Sequence, residues 1–430
     1  MPKAIQQSDL RHVIYALSDA LDLVGVNDVA HGKRVGIMAA ECGRAQGLAE
    51  AETTFLFDLG MLHDIGVSST QTHHHLVAQF DWEGSQVHTK IGYGLLSGFA
   101  PLSHMAIPIR YHHTRWDKLT TLPPSELTAQ QAQQANLIFM VDRVDALAVP
   151  HYGSGVLFDH LGEIRDHIQR SAGSYFAPEL VDTFLAASEA EAFWLQLEPR
   201  SIQNYLRDLL SRGESYQPLF AELKQLAVIF SHIVDAKSPF TAQHSLGVAR
   251  LARFLAERAG VSEENCDKLE LAGLLHDLGK LRVPDEILDK PGPLDSHERR
   301  IINTHSFETY QILRSIGGFE EVALWAAYHH EEPDGMGYPF RIHEKGLSIE
   351  ARILRVADIF QAMAQDRPYR AGLAEHEVLG FLNELANQGR VDAGIVKLVG
   401  ENLAQAMAAA IHDPADLLIQ VDETDRARMS

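Results

Sequence analysis

Seven side chains in the second half of this 430-residue chain belong to the types that bind transition metals. They are His244, His276, Asp277, His305, His329, His330 and Asp358. The histidine pair at 329–330 opens the segment HHEEPDGMGYP, whose Asp-Gly and Gly-Tyr-Pro favour a loop over a helix or strand. We therefore predict that this pair lies at a helix end beside a pre-shaped loop. Taken singly, each residue fits a structural or solvated role, whereas the ordered set favours a metal centre.

The mixture of ligands indicates the kind of metal and the kind of reaction. Histidines and aspartates without a cysteine favour two divalent ions, iron or manganese, over a thiolate-rich zinc site. Two ions bridged by a hydroxide provide a nucleophile at neutral pH and neutralise phosphate oxygens, which predicts phosphoester hydrolysis. Oxygen chemistry at a di-iron centre is the alternative. Asp358 lies in an apolar helical pattern, where burial of an unpaired polar group costs roughly 2–7 kcal/mol. Either a metal ion or an ion pair with Arg355 would satisfy it.

The first half of the chain repeats this order of residues. The matching side chains, offset by 213 to 217 residues, are His31, His63, Asp64, His88, His112, His113 and Asp142. The flanking residues agree as well, because LGMLHDIG at 59–66 corresponds to AGLLHDLG at 272–279. Such self-similarity indicates two copies of one domain. The first copy is therefore a second candidate metal site.

The two copies differ where phosphate would be bound. Gly279 is predicted to end a helix, which would let Lys280 reach a phosphate oxygen or the leaving group. Arg367 and Arg370 carry guanidinium groups that could hold phosphate. The first copy has Val67 in place of the lysine and no matching arginines. We predict that it keeps a metal-capable site without this phosphodiesterase activity, acting as a receptor or scaffold or, alternatively, as a nucleotidase on the linear product.

The periodicity of apolar residues predicts an all-α protein with two tandem helical domains. Helical spacing dominates and strand-like alternation is rare. The clearest helical segments are 35–49, 55–62, 137–148, 246–259, 269–278 and 349–364. We predict a first domain over 1–198, a linker over 199–218 and a second domain over 219–430, which opens with an amphipathic helix near 219–233.

Composition limits the partners and the compartment. The chain has 46% hydrophobic and 22% charged residues, as globular proteins do, and a net charge of −21. This charge argues against binding to DNA, RNA or an anionic membrane. Two distant cysteines, Cys42 and Cys266, make a disulfide framework improbable. With no signal peptide and no apolar run of about 20 residues, we predict a cytoplasmic protein.

The motifs of the second half resemble those of the HD-GYP domain. They are HDLGK at 276–280, KPG at 290–292, His305, HHEEPDGMGYP at 329–339, and Asp358 with RPYR at 367–370. The resemblance covers about residues 220–410, and the first copy resembles a plain HD domain. It implies an all-helical fold, a site for two metal ions, and hydrolysis of bacterial cyclic dinucleotides to linear or mononucleotide products. A degenerate HD copy before a complete HD-GYP copy is also similar to members specific for 3′,3′-cyclic GMP-AMP, although cyclic di-GMP is the commoner substrate.

The resemblance also assigns roles by position. It implies one ion at His244, His276 and Asp358, another at His305, His329 and His330, and Asp277 between them. Lys280 would assist at the phosphate that Arg367 and Arg370 hold. The loop residues Asp334, Gly337, Tyr338 and Pro339 would shape the substrate pocket or contact a partner, either a second copy or a signalling protein. Some members bind a third ion through a glutamate four residues before the first histidine. Phe240 stands there, so we expect two ions. A receptor or scaffold without chemistry remains the alternative for the whole chain.

Overall fold

A computed structural model describes residues 9–25, 30–152, 155–212, 216–238, 244–366 and 371–411. These residues form α-helices and short 3-10 helices with no β-strand, apart from two isolated bridges, Ala172 to Phe176 and Asp334 to His343. The all-α prediction is confirmed. The described residues divide into two compact units: the N-terminal unit holds 30–212, and the C-terminal unit holds 9–25 together with 216–411.

The first helix of the chain, α1 (Leu10–Asp22), belongs to the C-terminal unit. The N-terminal unit consists of α2 (His31–Ala45), α3 (Glu50–Leu62), α4 (Thr70–Ala78), α5 (Gln86–Ser97), α6 (Ala106–Tyr111), α7 (Trp116–Leu119), α8 (Ala129–Tyr152), α9 (Leu157–Arg170), α10 (Pro178–Ala187), α11 (Glu191–Leu195) and α12 (Pro199–Arg212). Its 3-10 helices are Glu83–Ser85 and Ser103–Met105.

The C-terminal unit continues from α1 with eleven further helices. They are α13 (Phe220–Asp235), α14 (His244–Arg258), α15 (Glu263–Leu275), α16 (Asp285–Leu288), α17 (Ser296–Asn303), α18 (His305–Leu313), α19 (Glu320–Ala327), α20 (Ile349–Ala364), α21 (Glu375–Asn387), α22 (Ala393–Glu401) and α23 (Leu403–Ala410). Its 3-10 helices are Leu23–Gly25, Leu278–Arg282 and Glu344–Gly346.

The same five-helix arrangement recurs in both units, with α2, α3, α5, α6 and α8 matching α14, α15, α18, α19 and α20. Small residues let the first two helices of each set pack closely. A Cβ on Gly60 would lie 2.7 Å from the Cα of Gly36, and one on Gly273 would lie 2.7 Å from the Cα of Ala249. This close approach brings the start of one helix beside the end of the other, where the histidines stand.

Local signals account for the helix ends that matter for the site. Ser262 caps α15 by accepting a hydrogen bond from the backbone N–H of Asn265, and Ser348 caps α20 in the same way at Ala351. The observed α20 coincides with the predicted segment 349–364. However, α15 ends at Leu275, so His276 and Asp277 follow the helix instead of lying on it. The prediction that Gly279 ends this helix was therefore wrong.

Gly279 has a different role, which is close packing. It lies in the 3-10 helix Leu278–Arg282, where a Cβ would come within 2.1 Å of the carbonyl oxygen of His305. Its N–H donates to Oγ1 of Thr309 at 2.9 Å. The first copy repeats this contact, because a Cβ on Gly66 would lie 2.1 Å from the carbonyl oxygen of His88.

The unit boundaries differ from the predicted ones in two places. The stretch predicted as a linker is helical from Pro199 to Arg212, where α12 buries Ile202 and Leu209 within the N-terminal unit. The first domain was predicted to begin at residue 1, whereas α1 packs on α18 of the C-terminal unit. In α1 nearly every apolar residue is buried, and this burial needs a surface that local periodicity cannot identify.

Candidate metal centres

In the C-terminal unit, helix ends bring all seven predicted side chains together. His244 begins α14, His276 and Asp277 follow α15, and His305 begins α18. The pair His329 and His330 follows α19, and Asp358 lies in the middle of α20. Six of these side chains are buried or nearly so, and the seventh, Asp358, has a side-chain exposure of 14%. A centre built from helix ends and one helix middle is held by five separate elements.

Asp277 lies between two groups of imidazoles. Its Oδ2 is 3.2 Å from Nε2 of His276 and 3.8 Å from Nε2 of His244. Its Oδ1 is 3.4 Å from Nε2 of His305 and 3.7 Å from Nε2 of His329. The two carboxylate oxygens therefore face opposite sides of the centre.

Each side of the centre contains a group of three residues whose ligand atoms lie within 4.8 Å of one another. One group is His244, His276 and Asp358; the other is His305, His329 and His330. Oδ1 of Asp358 is 3.2 Å from Nε2 of His244. Arg355, the predicted alternative partner of Asp358, instead donates to Oε1 of Glu332 at 2.7 Å. Asp358 thus points into the histidine cluster.

The orientation of the imidazoles suits metal binding. The Nδ1 atoms of His276, His305 and His329 lie 2.6 to 2.8 Å from backbone carbonyl oxygens three residues earlier, so they carry the hydrogen. The Nε2 lone pairs consequently face the centre. Among the described residues, Nε2 of His276 and Oδ1 of Asp277 are buried without a hydrogen-bond partner. Buried polar atoms of this kind need a partner, and a divalent cation fits this donor set.

The charge states also suit cations. Burial alone would raise the pKa of Asp277, but the neighbouring side chains of His276 and Lys280 hold it well below its usual value. Burial, reinforced by the neighbouring imidazoles, holds the pKa values of His329 and His330 well below the usual range. Asp277 is therefore ionised and the pair His329 and His330 is neutral, which is the protonation state that metal binding requires.

Lys280 lies in the 3-10 helix Leu278–Arg282, and its ammonium group reaches the carboxylate of Asp277. Its Nζ is 2.5 Å from Oδ2 of Asp277, and its side chain has 19% exposure. Burial lowers the pKa of Lys280, but the charge and hydrogen bond of Asp277 outweigh this and raise it. A fixed ammonium group therefore stands beside the carboxylate of Asp277.

The loop 331–342 covers one side of the centre. The ring of Tyr338 stacks on His330 with centroids 4.7 Å apart. Gly337 allows the tight turn, because a Cβ there would lie 2.3 Å from the backbone nitrogen of Glu332. The buried carboxylate of Glu331 accepts hydrogen bonds from three backbone N–H groups, those of residues 340, 341 and 342. Glu331 therefore holds the loop in shape, a role that the sequence motifs did not predict.

The remaining predicted loop and phosphate residues have mixed outcomes. Asp334 is exposed, and its Oδ1 accepts from the N–H of Met336 at 2.8 Å, so its described contact shapes the turn. Pro339 follows Tyr338 through a cis peptide bond. Arg367, Arg370 and Phe240 lie outside the described residues, and their roles stay predictions. Contact of the loop with a second copy or a signalling protein also stays a prediction.

The N-terminal unit brings the equivalent residues together in the same geometry. Asp64 again lies in the middle, with Oδ2 3.5 Å from Nε2 of His63 and Oδ1 3.2 Å from Nε2 of His88. Nε2 of His31 is 3.5 Å from Oδ1 of Asp142. The potential metal-binding groups are Asp64, His88, His112 and His113 on one side, and His31, His63 and Asp64 on the other. Oδ1 of Asp64 and Nε2 of His63 are buried without a hydrogen-bond partner in the described part of the chain.

Arginine distinguishes this second cluster from the first. Arg143 donates to Oδ2 of Asp142 at 2.8 Å and to the carbonyl oxygen of Gln79 at 2.7 Å. The C-terminal unit has Ile359 at the matching position. The sequence did not predict this role of Arg143, because a metal ion was the expected partner of Asp142. Val67 stands where the C-terminal unit has Lys280, so no ammonium group lies beside Asp64 at that position.

All-helical domains with a His–Asp centre at their helix ends define the class that the sequence motifs indicated, the HD-type domains. An HD-domain family model matches residues 228–395. The 3′3′-cGAMP-specific phosphodiesterase 1 of Vibrio cholerae is 36% identical over 402 residues, which is 92% of each chain. The chain therefore belongs to the HD-GYP family of phosphodiesterases.

Two further comparisons concern a relative that matches part of the chain and a solved structure of similar fold. The cyclic di-GMP phosphodiesterase response regulator RpfG of Xanthomonas campestris is 38% identical over 197 residues, 45% of this chain and 50% of that protein. A crystal structure of a cyclic GMP-AMP specific phosphodiesterase of V. cholerae has a TM-score of 0.63 at 24% identity, covering 93% of this chain and 98% of that one. It shows the same fold. Within the described residues, no helix combines the length and apolarity needed to span a membrane.

Proposed function

We propose that the C-terminal unit is a metal-dependent phosphodiesterase that hydrolyses bacterial cyclic dinucleotides to linear dinucleotides or mononucleotides. One observation carries this proposal: the two oxygens of Asp277 face two separate imidazole groups while Lys280 stands beside it. The group of His244, His276 and Asp358 would hold one divalent ion, and His305, His329 and His330 the other. Asp277 would bind both. Iron or manganese suits these ligands.

The chemistry follows from this arrangement. Bound divalent ions supply an activated water and neutralise phosphate oxygens. Asp277 fixes the spacing of the two ligand groups, and the carbonyl-bonded histidines keep their Nε2 lone pairs in place. Lys280 stabilises the negative charge that develops on the phosphate. Tyr338, stacked on His330, closes the side of the site toward the loop and limits the access of bulk water.

The substrate is proposed to be 3′,3′-cyclic GMP-AMP, because a relative that matches both units is named for it. A relative named for cyclic di-GMP matches about half of this chain. We expect the Mn²⁺- or Fe²⁺-loaded protein to hydrolyse cyclic GMP-AMP with a kcat/KM at least about tenfold above that for cyclic di-GMP, which corresponds to about 1.4 kcal/mol. Chromatography of the nucleotide products over time measures both rates. A reversed preference would transfer the substrate assignment to cyclic di-GMP, and hydrolysis of neither would favour the receptor or scaffold alternative.

The N-terminal unit supports a second candidate function, removal of the terminal phosphate from the linear product. The observation favouring it is that all seven of its ligand-type residues converge, with Asp64 again between two imidazole groups. This unit has Val67 in place of Lys280 and Arg143 beside Asp142, so the groups around its cluster differ from those of the C-terminal unit, which suits a different phosphoester.

An Asp64→Asn variant tests this function in the intact chain. Deleting the N-terminal half would also remove α1, which packs in the C-terminal unit, so a point substitution is the cleaner experiment. We expect the variant to accumulate the linear product with its 5′-phosphate, because the phosphatase step should slow by more than about 100-fold. Mass spectrometry of the product distinguishes the outcomes. Loss of the phosphate at the wild-type rate would leave the N-terminal unit with a receptor or scaffold role.

A further inference from the structure

The first histidine of each cluster forms a hydrogen bond through its Nδ1, and the partner of this bond differs between the two units. Nδ1 of His31 lies 2.8 Å from Oδ2 of Asp145, a carboxylate that is fully buried. Nδ1 of His244 lies 2.5 Å from Oε1 of Gln361, an amide that is 3% exposed. Both partners stand three residues after the helical aspartate of their cluster, so they occupy equivalent positions. In both cases an oxygen accepts the Nδ1 hydrogen, and Nε2 of the histidine faces the metal site.

The carboxylate behind His31 is fixed by its own partners. Arg34 donates to it twice, from Nε to Oδ1 at 2.7 Å and from Nη2 to Oδ2 at 2.8 Å. The hydroxyl of Tyr152 donates to Oδ1 at 3.0 Å. The two hydrogen bonds from the guanidinium of Arg34 pair this buried carboxylate with a permanent positive charge. Asp145 is therefore an oriented, ionised acceptor for His31.

The C-terminal unit has no room for an arginine at the position of Arg34. Gly247 stands at the position of Arg34, and a Cβ there would lie 2.4 Å from the carbonyl oxygen of Ala410 and 2.8 Å from Cγ of Gln361. An arginine therefore does not fit. Gln361 is neutral, and its Nε2 donates to Oε1 of Gln365 at 3.1 Å. The N-terminal unit thus combines the carboxylate of Asp145 with Arg34, and the C-terminal unit combines the amide of Gln361 with Gly247.

We propose that Asp145 and Gln361 are positioning residues that give the two units different metal affinities, with the N-terminal unit holding its ion at His31 more tightly than the C-terminal unit holds its ion at His244. The inference rests on the proposed metal binding. A carboxylate that accepts the Nδ1 hydrogen orients the ring and strengthens Nε2 as a ligand, whereas a neutral amide orients it with less polarisation. Partners of this kind change metal affinity by about 10- to 100-fold.

A chelator titration of the full-length, Mn²⁺-loaded protein tests the inference. A chromogenic chelator counts the ions removed from wild type, Asp145→Asn and Gln361→Met. We expect wild type to release Mn²⁺ in two phases. Asp145→Asn keeps an acceptor oxygen without the charge. The Mn²⁺ affinity of the tighter phase alone should therefore fall by about 10- to 100-fold. Gln361→Met removes the acceptor oxygen. The Mn²⁺ affinity of the weaker phase alone should therefore fall by a similar factor.

Several results would overturn the inference, and a second variant guards against misfolding. A single common phase in wild type, unmoved phases in both variants, or a shift of the weaker phase by Asp145→Asn would each contradict it. If Asp145→Asn lowers the melting temperature of the ion-free protein, Tyr152→Phe decides, because it removes one hydrogen bond to Asp145 and should shift the same phase by a smaller factor. A wild-type protein that holds no Mn²⁺ would instead overturn the proposed metal centres themselves.

Discussion

Replacing Asp277 by asparagine is expected to release bound ions from the C-terminal unit and to reduce its hydrolysis of cyclic dinucleotides by more than about 100-fold. Residues that only support metal ligands change affinity or activity by about 10- to 100-fold, so a ligand shared by both ions should cost more. The physical reason is that one carboxylate faces both imidazole groups. An amide keeps the volume but loses the negative charge that both ions need. Metal analysis and steady-state rates measure the two effects.

Asp267→Asn is the matched control for this substitution. Asp267 lies on α15, the same helix that ends before Asp277, and its carboxylate pairs with Arg253 at 2.6 Å. The chemical change is identical, but an ion pair near the surface contributes only about 0–1 kcal/mol to stability. We expect its turnover to stay within about twofold of wild type. Wild-type turnover and ion content in Asp277→Asn would contradict the proposed centre.

Replacing Lys280 by methionine is expected to lower kcat by about 10²- to 10³-fold, as the loss of one charge-stabilising group at a reacting centre typically does. Methionine keeps most of the apolar stem and removes the ammonium group. The ions should remain bound at least as well, because the variant loses a cation that stands 2.5 Å from Oδ2 of Asp277. Lys280→Met and Asp277→Asn therefore separate the two roles: only the second should lose metal.

The control for Lys280→Met is Lys268→Met on α15. Nζ of Lys268 pairs with Glu321 at 2.7 Å and with Glu264 at 2.9 Å, away from the histidine cluster. We expect its kcat to stay within about twofold of wild type. If Lys280→Met turned over substrate at the wild-type rate, Lys280 would act only as a partner of Asp277 and the proposed charge stabilisation would be wrong.

The sequence was sufficient to predict those features that depend on local order and repetition. Helices were predictable because apolar residues recur at the helical period, and 349–364 matches α20 at both ends. The candidate ligands were predictable because seven residues keep their order and a spacing of 213 to 217 in both halves. Such a repeat constrains function more strongly than any single histidine does. The geometry is equivalent in both units, as two copies of one fold require.

Other features depend on contacts between residues far apart in the chain. Arg355 was close enough in sequence to pair with Asp358, but the docking of the loop places Glu332 against its guanidinium. The burial of α1 in the C-terminal unit, and the burial of α12 in the N-terminal unit, depend on surfaces formed elsewhere. Local periodicity shows that each of these helices buries one face, but it does not show against which helix that face packs.

The chain's own order of residues thus specifies which side chains are available for chemistry, since residue type and helical period are local properties. The hydrogen-bond partners of those side chains depend on how the helices dock. Asp145 behind His31 and Gln361 behind His244 lie 114 and 117 residues from the histidines they contact. Which oxygen stands behind an imidazole, and with what charge, follows from this long-range packing, because a hydrogen bond requires atoms about 3 Å apart in space and no fixed separation along the chain.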